Sequence, residues 1–181
     1  MASTEPHPDP VALTASNNTS KVDYTPYPEK SIPVSSEQQA TVDAICRLYS
    51  GSASKDDMQV YAPTAIYDDP WSYCDNRYKV AGQWYGIPKI MASSRTLATE
   101  IVDASPSLLV FKLRQEYTPR VLNIGKAVNS LVSLSLDKEG KVTYHKDMWN
   151  EKDYSHEGLG KVMKTLNGDY LTKITRPEGD L

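Results

Sequence analysis

The chain has 181 residues, 39% of them hydrophobic, and a formal net charge of −3, which suffices for one domain around a core of its own. Nothing in that balance marks a nucleic-acid surface: the charge is mildly acidic and no Lys/Arg run occurs. No apolar stretch approaches the ~20 residues that a membrane helix needs.

Residues 1–33 are crowded with Pro, Ser, Thr and Asn and nearly lack large aliphatic side chains. Such a segment buries too little apolar surface to offset its ordering entropy, so a flexible arm is predicted ahead of a single domain over 34–170 and a tail over 171–181. "MASTEPHPDPVALTASNNTS" carries neither a basic n-region nor an apolar h-region, so a cytoplasmic protein is expected. Cys46 and Cys74 then read as free thiols, with a disulfide as the alternative, and neither has the spacing of a zinc site.

In "PVSSEQQATVDAICRLYSG", Ser36 and Gln39 have capping-box spacing, and Val42, Ile45 and Leu48 recur at the helical period until Gly51. Ser54 with Asp57 offers the N-cap of a short second helix carrying Met58 and Tyr61, stopped by Pro63. "AIYDD" follows as a short strand. Residues 70–85 read as an extended loop rich in Trp, Tyr and Asp. Gly86 and Pro88 open a third helix, "IPKIMASSRTLATEI". From Ser105 the period becomes two: Leu109, Phe111, Leu113, Gln115 and Tyr117 share one strand face, and Lys112, Arg114 and Glu116 the other. "GKAVNSLVSLSL", the turn "DKEG" and "KVTYHKDMWN" form a hairpin. "SHEGLGKVMKTL" reads as a C-terminal helix. Helices first and long antiparallel strands afterwards predict an α+β fold, a curved sheet with helices on one face.

Two helices, "YAPTAIYDDP", a gap, "GIPKIM" and then long strands with "LDKEGKVTYHKDMWNE" together resemble the nuclear-transport-factor-2-like superfamily, above all its ketosteroid isomerases and SnoaL-like polyketide cyclases. Tyr61, Ala62, Ala65, Asp69, Pro70, Gly86, Ile90, Asp137, Gly140, Val142 and Trp149 match that pattern, over roughly residues 36–151. The resemblance implies a cone: a curved antiparallel sheet wrapped around the N-terminal helices, with an internal apolar pocket. Alternation on the last strand puts His145, Asp147 and Trp149 on one face and Tyr144, Lys146 and Met148 on the other. The family's pocket-lining Trp implies that the His145 set faces inward.

In the ketosteroid isomerase-like members the carboxylate at the Asp69 position moves a proton next to a carbonyl. Such work needs a poorly solvated base and donors for the developing enolate. Asp69 is equally readable as the acceptor of backbone N–H groups at an Asp-Pro turn. Asp68 points the other way and is expected in solvent. The resemblance places the isomerase's oxyanion donors near Ile45 and Val132, neither of which can donate, so steroid isomerisation is not expected. His145 and Asp147 read as an acid/base pair across from Asp69, or as a buried polar pair bonded to Trp84 or Tyr73. Trp71, Tyr73, Tyr78, Trp84 and Tyr85 read either as aromatics lining a pocket mouth or as packing for their loop.

The catalytic candidates are therefore Asp69, His145 and Asp147, and the ligand-binding candidates Trp71, Tyr73, Trp84, Tyr85 and Trp149. No metal triad, phosphate loop or dinucleotide fingerprint occurs, so the expected chemistry uses no metal and no cofactor. The expected function is a small-molecule isomerase, cyclase or dehydratase acting on an apolar, polycyclic-type substrate. The alternative is a non-catalytic ligand-binding or protein-interaction domain of the same fold. A small apolar molecule and a second copy of the chain, as a homodimer, are the expected partners; nucleic acid and membrane are not.

Overall fold

The computed structural model describes residues 23–149, 167–170 and 172–177. Helices α1 (Ser36–Tyr49), α2 (Lys55–Met58) and α3 (Arg77–Ile90) accompany six strands: β1 (Tyr61–Asp68), β2 (Tyr73–Cys74), β3 (Met91–Ser105), β4 (Leu108–Pro119), β5 (Lys126–Leu136) and β6 (Val142–Trp149). They form one sheet in the order β2-β1-β6-β5-β4-β3. Only the β1–β6 pair is parallel.

A capping box starts α1, but one residue earlier than predicted. The Ser35 hydroxyl accepts from the Gln38 N–H at 3.2 Å and the Gln38 side chain accepts from the Ser35 N–H at 3.4 Å. The tandem "SSEQQ" satisfies the pattern in two registers, and the extended backbone of Ser35 selects the first. Ser54 caps α2 as expected, its hydroxyl 3.3 Å from the Asp57 N–H. That helix ends at Met58, so Tyr61 and Pro63 belong to β1.

Two predicted elements change. Most of the expected loop over 70–85 is helical, because Asn76 caps the Lys79 N–H at 3.0 Å and Val80, Trp84 and Ile87 then make an inner stripe. The expected third helix from Gly86 is the last turn of α3 followed by β3, a 15-residue strand. Pairing of β3 with β4 shifts at Met91/Ser93, Thr96/Ala98 and Ile101/Asp103. Each shift reverses the inside–outside alternation and bends the strand. The β5–β6 hairpin is as read: the Asp137 carboxylate accepts from the N–H groups of Glu139 at 2.9 Å and Lys141 at 2.8 Å, and Gly140 takes φ +75°. The predicted helix "SHEGLGKVMKTL" lies outside the described residues.

The core lies between the helices and the concave face, with Ile45, Leu48, Trp84, Leu109, Phe111, Leu113, Val132 and Leu134 all buried. On the convex face Val110, Leu131 and Met148 form a second cluster that Tyr24 covers. Residues 23–33, assigned above to a flexible arm, are laid against the sheet. The Ile32 N–H donates to the Ile101 carbonyl at 3.0 Å and the Tyr27 N–H to Glu100 Oε2 at 2.7 Å. Lys112 closes on the same Glu100 carboxylate at 3.2 Å. At the other end, Thr172 and Thr175 of the predicted tail are buried against α3, and Lys89 donates to the Thr175 carbonyl at 2.8 Å.

Asp68 is not in solvent. It is 1% exposed on the convex side, with Lys146 Nζ at 3.3 Å and the Tyr144 hydroxyl at 3.1 Å from Oδ2. The parallel register sets Asp68 beside Lys146, so the aspartate expected in solvent is satisfied by a lysine of the same outer face. Among the described residues no helix is long and apolar enough to cross a membrane.

Candidate functional site

Strands β1 and β6 lie side by side with Tyr67 opposite His145. Their inner faces therefore present Tyr67, His145 and Asp147 together, and helices α1 and α3 close over them with Tyr49 and Trp84. The ring centroids of Tyr67 and His145 are 4.9 Å apart, those of Tyr49 and Trp84 4.7 Å, and those of Tyr67 and Trp84 5.2 Å, all edge-on.

Asp69 stands just past the end of β1. Its Oδ1 accepts the N–H groups of Trp71 at 2.7 Å and Ser72 at 2.5 Å, while Oδ2 accepts the Tyr67 hydroxyl at 2.8 Å. Burial raises this carboxyl and the Tyr67 hydroxyl draws it back. The Asp147 charge pushes it up again against the two backbone N–H groups, and the balance is about 6.

His145 has no exposed surface. Burial lowers it to about 3, so it is neutral at physiological pH. Its Nδ1 lies 2.7 Å from the Tyr61 hydroxyl and its Nε2 3.3 Å from that of Tyr49. Tyr49 gives its single proton to Asp147 Oδ2 at 2.6 Å, so toward His145 its oxygen can only accept. The hydrogen bonds thus assign the ring proton to Nε2 and run one way, from Tyr61 through His145 and Tyr49 to Asp147. Burial holds the Tyr49, Tyr61 and Tyr67 hydroxyls well above the ordinary phenol range, so all three remain donors.

Asp147 also accepts the Trp149 indole N–H on Oδ2 at 2.8 Å. Burial raises its pKa, with Tyr49, Trp149 and Ser130 pulling it back. Among the described residues its Oδ1 has no partner within hydrogen-bond geometry, and the nearest acceptor to the buried Trp84 Nε1 is the Tyr61 hydroxyl, whose proton affinity the indole N–H lowers.

The structure brings Asp69, His145, Asp147, Trp84 and Trp149 into this neighbourhood. Tyr85 is half-buried against the core beside it. Trp71 is 61% exposed, and Tyr73 pairs opposite Asp68, which puts it on the other face of the sheet. The expected bond from the His145/Asp147 pair to Trp84 or Tyr73 is made instead by Tyr49, Tyr61 and Trp149. Ile45 and Val132 are buried and apolar. The tyrosines were missed as site residues, although Tyr49 follows Ile45 by one helical turn and Tyr67 shares a strand face with Ala65.

No protein-family model matches this sequence, and none of the curated proteins matches it. Solved structures do. A nuclear-transport-factor-2-like protein from Anabaena variabilis superposes with TM-score 0.56 at 9% identity, covering 67% of this chain and 96% of that one. A Catenulispora acidiphila protein with a ketosteroid isomerase-like fold, solved with trimethylamine, gives 0.53 at 15% identity over 64% and 85%. A candidate isomerase of the SnoaL-like family from Agrobacterium tumefaciens gives 0.50 at 11% identity over 64% and 98%. The matches extend to a candidate polyketide cyclase from Xanthomonas campestris. At such identities the likeness is one of fold: the chain has the nuclear-transport-factor-2-like α+β architecture.

Proposed function

We propose that the chain is an acid/base enzyme that moves a proton next to a carbonyl on a small apolar substrate. The observation that carries this reading is Asp69: a buried carboxylate, balanced near 6, beside a second buried carboxyl and a row of protonated phenols. Asp69 Oδ2 takes a proton from the carbon next to the carbonyl, and the electron pair moves onto the carbonyl oxygen as an enolate. The buried Trp84 Nε1–H donates to that oxygen. Asp147 Oδ1 accepts a substrate hydroxyl. His145, neutral and bonded at both nitrogens, assists by orienting Tyr49 and through it Asp147. The enolate then takes the proton back on another carbon, attacks a second carbonyl of the same molecule, or expels a neighbouring hydroxyl as water. These are the isomerase, cyclase and dehydratase outcomes, and none calls on a cofactor. Trp149 and Tyr85 flank the substrate in this reading.

A second reading, a non-catalytic binding domain, is favoured by Asp69 Oδ1, which closes the turn with two backbone N–H bonds. Proton exchange separates the two. In D2O the chain should speed deuterium uptake next to the carbonyl of cyclic ketones. Asp69→Asn should reduce that uptake by about 10²-fold or more, and Asp147→Asn by less. Ketone binding with no exchange above background, or an unchanged rate in both variants, would leave only the binding domain.

A further inference from the structure

We infer that Tyr67 is a positioning residue that sets the orientation and proton affinity of Asp69, leaving one Oδ2 lone pair as the only open acceptor of that carboxylate. The inference rests on Asp69 acting as the base. A carboxylate offers about four lone-pair directions. Two on Oδ1 receive the N–H groups of Trp71 and Ser72, and one on Oδ2 receives the Tyr67 hydroxyl at 2.8 Å. The carboxylate therefore cannot rotate without breaking three bonds, and one direction remains.

Tyr67 is itself held. It sits in β1 two residues before Asp69, is 3% exposed, and meets the Trp84 and His145 rings edge-on. Its hydroxyl is buried and stays protonated, so it donates to Asp69 at physiological pH. A donor to the charged form favours that form. Four titratable groups act on or respond to Asp69: Asp147 of β6 opposes its ionisation, while Tyr117 of β4, Cys74 of β2 and Tyr67 itself feel its charge. Among these four groups Tyr67 is the only hydrogen-bond donor to the carboxylate.

The test is carboxyl 13C titration of the full chain, with the Asp69 resonance assigned by its loss in Asp69→Asn. In Tyr67→Phe, which keeps the ring contacts, the Asp69 carboxyl should gain about tenfold or more in proton affinity. Site-specific replacement of Tyr67 by 3,5-difluorotyrosine, a stronger donor of nearly the same shape, should move it the opposite way. A shift of opposite sign for the two replacements is what a merely structural tyrosine would not produce. If Tyr67→Phe fails to fold, the fluorinated chain alone decides: lowered affinity supports the inference, and an unmoved or raised one overturns it. The readout needs no turnover. If Asp69→Asn retains full exchange while Tyr67 still shifts the titration, the catalytic reading fails and the positioning stands.

Discussion

Asp69 divides its work between two oxygens. As a sequence feature, "DDP" reads as a turn acceptor or as a base. In the fold Oδ1 closes the turn and Oδ2 faces Tyr67, so the two readings describe different atoms of one side chain. The alternation of β6 put His145 and Asp147 on one face, and the family resemblance singled out Asp69 and turned that face inward. Their phenol partners were not legible, because a hydroxyl at the tip of a long side chain is placed by tertiary packing. Asp68 shows the same limit: a charge reads as solvent-facing until its partner from a distant strand is known.

These groups also make opposite contributions to stability as pH changes. Asp69 is held near 6, above its ordinary range, so the folded chain binds its proton more readily than the unfolded chain. Its contribution is greatest below about 4 and is lost as pH rises through about 6. His145 is held near 3, so its contribution is full above the ordinary range near 6.5 and is lost as pH falls toward 3. Urea unfolding between pH 4 and 7 should show both. Relative to wild type, Asp69→Asn should gain ground as pH rises and His145→Gln as pH falls. Difference curves with the same slope in both variants would contradict the assignment.

At the scale of elements, the hairpins and α1 follow from periodicity and caps, and the junction of α3 with β3 does not. "RYKVAGQWYGIPKI" holds two glycines and a proline, which lower intrinsic helicity, yet its Val80, Trp84 and Ile87 are drawn onto the core. "MASSRTLATEI" looks helical because β3 shifts register three times, and every shift erases the period-two signature. Gly82 explains one of the weak positions. A Cβ there would lie 2.9 Å from the Thr172 Cα, so α3 and the C-terminal segment meet at backbone distance. Gly82→Ala should destabilise the fold by about 1–3 kcal/mol despite alanine's better helix propensity. Chemical unfolding measures it, and a stabilised variant would show that this contact is dispensable.

The whole molecule is held by chain that composition alone assigned to its margins. Residues 23–33 cross from α1 around the outer edge of β3 to the convex face, where Tyr24 covers Val110, Leu131 and Met148. Few large aliphatics occur there, so the segment looked unable to order itself. Its aromatic rings and backbone donors supply the anchoring instead, with Lys30 Nζ 4.0 Å from the Tyr27 ring centroid. Deleting residues 1–33 should therefore lower the thermal midpoint well below that of a chain lacking only residues 1–22. Equal midpoints for the two truncations would mean that the strap adds nothing.

The parallel pair β1–β6 carries the buried Tyr67–His145 cluster on one side and the Asp68–Lys146 ion pair on the other, in consecutive residues. This makes strand pairing self-proofreading. A slip of one residue would turn Lys146 inward among the tyrosines and His145 outward, leaving the buried Asp68 carboxylate without its ammonium. Misaligned chains thus announce themselves by an unanswered charge, and the exterior of the sheet keeps the interior in phase.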